Sequence, residues 1–219
     1  LMMLEKLGYT YLSPAEVMEL RGGNTSNVLL EPILRNQLRN INTVQVSSQR
    51  TTVFSEQNIS AGIEALRNLP MSEGYMTASQ IAYDLLTAGK TLEQIVDGDK
   101  KSYVMQYIDW KHIENNAFHV VEEFAVSRTG MSDTYRPDIV LFVNGIPLCV
   151  IECKRPDIKD SLKQAISQHL RNQKEDGIRS LYVYSALLLA TNVNEVSYGT
   201  TATPEKFWSK WTEQFADKN

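Results

Sequence analysis

The sequence predicts an α/β fold, in which a helix-rich N-terminal part (residues 1–100) packs on a sheet-rich core (residues 101–219) as one structural unit. Three observations carry this. Helical periodicity crowds the first half of the chain, short apolar runs crowd the second, and one helical segment lies between the strands of that second half.

Taken in order, residues 1–7 read as the end of a helix whose start lies upstream, and Tyr9 to Leu12 as a short extended piece. Asn24-Thr25-Ser26 offers caps before a segment with Leu29, Ile33, Leu34, Leu38 and Ile41 at helical spacing. Glu56 to Leu69, Thr77 to Ala88 and Thr91 to Val96 read as further helices, the second stopped near Gly89. Tyr103 to Trp110 and Phe118 to Val126 read as strands. Asp160 or Ser161 caps a helix running to about Lys174. Leu181 to Tyr184 and Leu187 to Ala190 are then expected as strands, and Pro204 as the opening of a last helix to about Phe215.

The most informative stretch is Arg136 to Lys154. Two apolar runs, Ile139 to Val143 and Ile146 to Ile151, flank Asn144-Gly145, which reads as a buried β-hairpin. A carboxylate ends each run, Asp138 on one strand and Glu152 on the other. Lys154, two residues beyond Glu152, shares its face. Two carboxylates held that close repel each other unless a cation lies between them, and a hard, oxygen-seeking ion such as Mg²⁺ suits them. This is the layout of a metal-dependent phosphodiesterase. Register decides whether it exists. In a strict two-residue hairpin Asp138 would oppose Ile151, and Glu152 would point to the other face. The site therefore requires either a three-residue loop or an extra bulge further along. We expect the former, with Phe142 rather than Val143 opposite Ile146.

Composition narrows the rest. The chain is 42% hydrophobic and 22% charged, with no apolar run long enough for a membrane span. Without a basic, apolar leader, and with Cys149 and Cys153 expected as reduced core thiols of one strand, a cytoplasmic location is expected. A net charge of −4 argues against broad attraction to nucleic acid, so DNA contacts must come from a local patch. Between Glu152 and Arg179 seven Lys/Arg stand against five Asp/Glu. Lys163, Ser167, Arg171 and Lys174 form a helical stripe there able to follow a phosphate backbone, although a solvated face is the plainer reading. His112, His119 and His169 have no metal-binding spacing. Glu122 and Glu123 read as surface glutamates, or as outer carboxylates of the site. Trp208 and Trp211 would dock the last helix.

The string Pro137-Asp138 … Glu152-Cys153-Lys154 has the form of the PD-(D/E)xK nuclease motif. The longer wording from Arg136 to Leu148 resembles the N-terminal nuclease domain of the restriction (R) subunit of type I restriction–modification enzymes. The likeness continues in Asn116 to Phe124, Leu181 to Tyr184, Leu188 to Asn192 and Val196 to Thr200. It implies a restriction-endonuclease-like mixed sheet flanked by helices. It makes Asp138 and Glu152 ligands of Mg²⁺, joined by the backbone carbonyl of Cys153, with Lys154 acting on the attacking water. It also implies double-stranded DNA as substrate, and modification and specificity subunits as partners. A Gln-x-x-x-Tyr signature is expected on the following helix. Gln168 supplies the glutamine, but Asn172 stands at the tyrosine position. With Lys163 and Arg171, these two are the candidate DNA contacts. The family's acidic residue on its first helix would fall before Leu1. Family members couple ATP to motor domains, but no G-x-x-x-x-G-K-[ST] loop occurs in these residues, so ATP would act only through domains outside them. The alternatives are a PD-(D/E)xK nuclease of another helicase-linked or repair system, or an inactive docking scaffold.

Overall fold

A computed structural model of the chain describes residues 1–47 and 50–212. It opens with α1 (Met2–Lys6), β1 (Thr10–Tyr11) and α2 (Pro14–Leu20), followed by α3 (Glu31–Ile41) and the hairpin β2 (Thr43–Ser47)–β3 (Arg50–Val53). Helices α4 (Glu56–Arg67) and α5 (Tyr75–Ala88) precede a second hairpin, β4 (Lys90–Val96)–β5 (Asp99–Met105). Then come β6 (Phe118–Glu122), the small pair β7 (Val126–Ser127) and β8 (Thr134–Tyr135), and the long hairpin β9 (Ile139–Val143)–β10 (Ile146–Cys153). Helices α6 (Ser161–Asn172) and α7 (Arg179–Tyr182) lead to β11 (Leu187–Thr191), β12 (Val196–Gly199) and β13 (Ser209–Lys210).

Among the described residues the central sheet has seven strands, in the order β1-β6-β9-β10-β11-β12-β13. It is mixed: β1 with β6 and β10 with β11 run parallel, and the other neighbours run antiparallel. The N-terminal part thus contributes an edge strand as well as helices. One continuous core joins Leu34, Leu38, Ile59 and Ile63 of the helices to Val140, Phe142, Val150 and Leu188 of the sheet. Helix α6 packs on β10 and β11, where Ala165 and Ile166 meet Ala190. Among the described residues no helix is long and apolar enough to cross a membrane.

Several elements differ from the sequence expectation. Thr91 to Val96 is a strand, because Asp97 and Gly98 both take positive φ and close a two-residue turn onto β5. The expected strand from Tyr103 stops at Met105, and that from Phe118 stops at Glu122. Leu181 to Tyr184 falls on short α7, not a strand; its apolar residues are buried, but i→i−4 bonds such as Val183 N–H to Arg179 C=O close a helical turn. Pro204 begins only a short 3₁₀ turn at Glu205–Phe207 before edge strand β13; the expected helix beyond residue 212 lies outside the described residues. Trp208 packs its indole ring against Gly199 of β12, while Trp211 is exposed against Tyr198. Helix α3 starts at Glu31, after the Asn24 to Ser26 turn. Helix α2 carries a full capping box between Ser13 and Glu16 that the periodicity reading passed over.

The register of the long hairpin also corrects the expectation. Val143, not Phe142, opposes Ile146, so Asn144-Gly145 is a two-residue turn with φ of 52° and 80°. The register then slips between Pro147 and Cys149, leaving Leu148 as the extra residue, so that Ile151 pairs with Ile139. The next pair along is Glu152 with Asp138, which therefore share a face.

The turn is anchored from both sides. Asn144 is fully buried; its amide donates to Tyr107 C=O (2.9 Å) and Asn116 Oδ1 (2.8 Å) and accepts from Ala117 N–H (2.8 Å). Gly145 C=O accepts from Leu30 N–H at the start of α3 (2.9 Å), and a Cβ on Gly145 would come within 2.6 Å of Leu30 O. Positive φ and close approach both demand glycine here. Gly145→Ala is expected to lower stability by about 2 kcal/mol or more, read from urea unfolding midpoints. A change within about 0.5 kcal/mol, the usual range for surface substitutions, would show that the turn is not held in this way.

Candidate active site

The bulge at Leu148 brings the acidic ends of β9 and β10 together, and α6 closes over them. Glu152 has no exposed surface, whereas the Asp138 side chain is 37% exposed. Asp138 Oδ2 accepts from Cys153 N–H at 2.7 Å, which fixes it against the end of β10. Lys154 Nζ lies 3.8 Å from that oxygen and donates to Gln168 Oε1 at 2.7 Å. Gln168 Nε2 in turn donates to Glu152 Oε2 at 2.5 Å. One turn further along α6, Asn172 Nδ2 donates to Glu152 Oε1 at 3.3 Å. Each oxygen of the buried carboxylate therefore receives an amide N–H from the same helix face.

Behind Asn172 the network continues into the core. Asn172 Nδ2 also reaches Tyr182 Oη (3.3 Å), which lies 3.0 Å from His169 Nδ1, while His169 Nε2 lies 2.9 Å from Leu189 C=O. His169 is a core histidine; burial pushes its pKa down to about 4. Asn172 Oδ1 accepts from Arg171 Nη2 at 3.0 Å, and the Arg171 guanidinium lies 4.4 Å from the ring centroid of Tyr135.

Electrostatics follow from this burial. Loss of solvent pushes the Glu152 carboxyl up to about 8. The charge of Asp138 and a hydrogen bond to it push the same way, while Lys154 and Arg171 oppose them. Near neutral pH Glu152 thus holds its proton unless a further positive charge arrives. The Cys153 thiol is exposed rather than part of the core, whereas Cys149 is buried.

Of the residues singled out from sequence, the structure gathers Asp138, Glu152, Cys153, Lys154, Gln168, Asn172 and Arg171 into one cluster. Lys163 stands exposed on α6, more than a turn before Gln168 and outside the network. Glu122 is half-buried and pairs with Ile139, and Glu123 is exposed with φ of 48°. Tyr182 and Tyr135 were not singled out from the sequence; only the Gln-x-x-x-Tyr signature implied by the resemblance pointed to an aromatic hydroxyl near the end of α6. A cleft of about 540 Å³ lies elsewhere, between α2, α3 and α7, and no residue of the cluster lines it.

The chain matches the family described as type I restriction enzyme R protein N terminus over residues 1–207. It is 28% identical over 213 residues to a chain of Methanocaldococcus jannaschii assigned as the MjaIXP type I restriction enzyme endonuclease subunit, covering 95% of the present chain and 19% of that relative. It is 28% identical over 218 residues to the HindI endonuclease subunit of Haemophilus influenzae, covering 96% and 19%. A third relative, the EcoprrI endonuclease subunit of Escherichia coli, is 26% identical over 198 residues, covering 90% and 54%. The chain thus spans about a fifth of the length of the first two relatives.

Proposed function

Since the chain belongs to the type I restriction enzyme R protein N-terminal family, we propose that it is the nuclease domain of such a protein, a PD-(D/E)xK enzyme that hydrolyses phosphodiester bonds of double-stranded DNA with Mg²⁺. The observation that carries this reading is the Leu148 bulge, which sets Asp138 beside Glu152, with Lys154 next to Asp138 and tied to Glu152 through Gln168. The naming of the relatives as endonuclease subunits supports it.

The donor set suits Mg²⁺. That ion takes oxygen ligands and is commonly bound by one or two carboxylates together with waters and substrate phosphates. Among the described residues no group of three or more His, Cys, Asp and Glu is placed to hold a metal, so a site of two carboxylates and a backbone carbonyl is what these residues offer. Asp138 and Glu152 would hold the ion. The C=O of Cys153 would face the same edge as its N–H, toward Asp138, as strand geometry directs. When bound, the ion supplies Lewis acidity to the phosphate and an accessible hydroxide near neutral pH.

Every other task falls to the chain itself. Lys154 orients the attacking water and offsets charge developing on the phosphorus, without using a coordination position. Gln168 holds Lys154 and Glu152 at a fixed separation. Asn172 steadies the second oxygen of Glu152, and Arg171, stacked on Tyr135, is placed to meet a phosphate, with Lys163 further along the exposed face of α6. The domain reads no sequence. Site choice belongs to specificity and modification subunits, and ATP-driven translocation to motor domains elsewhere in a longer cytoplasmic protein.

Titration with Mn²⁺, followed by calorimetry or electron paramagnetic resonance, tests the reading. One ion per chain is expected, and none in Asp138→Ala or Glu152→Ala. Equal binding by wild type and both variants, or no binding at all, would overturn it.

A further inference from the structure

The hydrogen-bond directions behind Glu152 can be worked out one from another. Leu189 C=O only accepts, so the His169 Nε2 facing it at 2.9 Å carries a proton. His169 is fully buried, and its imidazole is neutral. Its Nδ1 is therefore a bare lone pair, and the Tyr182 hydroxyl 3.0 Å away must donate to it. That leaves the phenol oxygen with lone pairs only toward Asn172, so an amide N–H must face it. Arg171 imposes the same orientation from the other end, since its N–H groups face Asn172 Oδ1 at 3.3 and 3.0 Å. The amide nitrogen is then the atom turned toward Glu152 Oε1. Tyr182, Asn172 and Glu152 are all without exposed surface, so solvent does not scramble these directions.

We propose that Tyr182 is a positioning residue: its hydroxyl, polarised by the Nε2–H tautomer of His169, sets the Asn172 amide so that it donates to Glu152 and orients that carboxylate for a divalent cation. The proposal rests on the metal-site reading above. It assigns a role to an element, α7, that otherwise only fills the core. It also explains how Asn172 works where the family resemblance expects a tyrosine: the phenol hydroxyl arrives from Tyr182 and acts through the asparagine. Outer hydrogen-bond partners of this kind typically change metal affinity 10–100-fold.

Tyr182→Phe removes only the hydroxyl and keeps the ring that packs on α6. Its Mn²⁺ affinity is expected to fall about tenfold, and Asn172→Ala combined with Tyr182→Phe should bind no more weakly than Asn172→Ala alone, because the two act in series. Asp138→Ala, measured alongside, should not bind at all. Wild-type affinity in Tyr182→Phe while Asp138→Ala fails to bind would overturn the positioning role and leave the metal site standing. Additive losses in the double variant would overturn it too. Failure of the wild type to bind Mn²⁺ would instead remove the metal-site reading, and with it the proposal. Independently, ¹⁵N chemical shifts of the His169 ring in the unsubstituted protein report the tautomer. A proton on Nε2 and none on Nδ1 supports the relay, and a proton on Nδ1 overturns it.

Discussion

Lys154→Ala is expected to leave Mn²⁺ binding intact and to slow DNA cleavage by the assembled R protein 10²–10³-fold or more, on the order seen when a transition-state donor is removed. Asp138→Ala and Glu152→Ala should lose both. The reason for the split is geometric. Lys154 stands 3.8 Å from Asp138 and is bonded to Gln168, so it lies beside the carboxylates without being one of the oxygen donors. Its amine is also a cation, and removing it relieves competition for the negative charge. Metal affinity should therefore hold or rise while turnover collapses. Binding isotherms and plasmid-cleavage rates on the same preparations separate the two effects. Loss of metal binding in Lys154→Ala would mean that the lysine organises the acidic pair instead of acting on the reaction.

The second large effect concerns pH. Glu152 has a folded pKa raised from 4.5 to about 8, so in the absence of metal the folded state holds a proton that the unfolded chain releases. Its contribution to stability is complete below the unfolded value and is lost as pH rises toward 8. His169, lowered from 6.5 to about 4, acts in the opposite sense: its contribution is complete above 6.5 and is lost as pH falls toward 4. His119, lowered by burial, acts as His169 does. The two kinds of residue oppose each other below pH 6.5, and above it Glu152 stands alone. Over the 1.5 units between pH 6.5 and 8, stability in EDTA is expected to drop by about 2 kcal/mol at 1.36 kcal/mol per unit. Glu152→Gln should flatten the curve, and saturating Mg²⁺ should flatten it too, by displacing the proton and binding the ionised form. Urea midpoints at the two pH values measure all three. A level or rising curve in EDTA would show that Glu152 is already ionised when buried.

How much of this was legible in the sequence depends on what each residue signals locally. The hairpin was legible, since two apolar runs around Asn144-Gly145 admit few other structures, and so was the need for a bulge, from the positions of Asp138 and Glu152. Where the bulge falls was not. Leu148 is one apolar residue among several, and nothing local marks it as the one left unpaired. Asp97-Gly98 carries the same turn chemistry as Asn144-Gly145, but the apolar spacing of Leu92, Ile95 and Val96 imitates a helical face. Leu181 to Tyr184 shows the familiar ambiguity of a short apolar run, which tertiary packing resolved as a helical turn. Gln168 and Asn172 were readable through the family's Gln-x-x-x-Tyr signature, whose two positions lie one turn apart on a single helix. Tyr182 was not, because it reaches them from a different element and only the folded chain makes them neighbours.

The single unpaired leucine in β10 places an arithmetic rule on the chain's length. Every residue added or removed between Leu148 and Glu152 would turn the glutamate away from Asp138, because alternate positions face opposite ways. A deletion in this arm is therefore tolerated only when an insertion on the same strand cancels it, because removing two residues restores the face but leaves Glu152 about 7 Å from Asp138 along the strand. An odd deletion should unmake the acidic pair even though every residue of the motif is still present, and a one-residue insertion nearby should rebuild it.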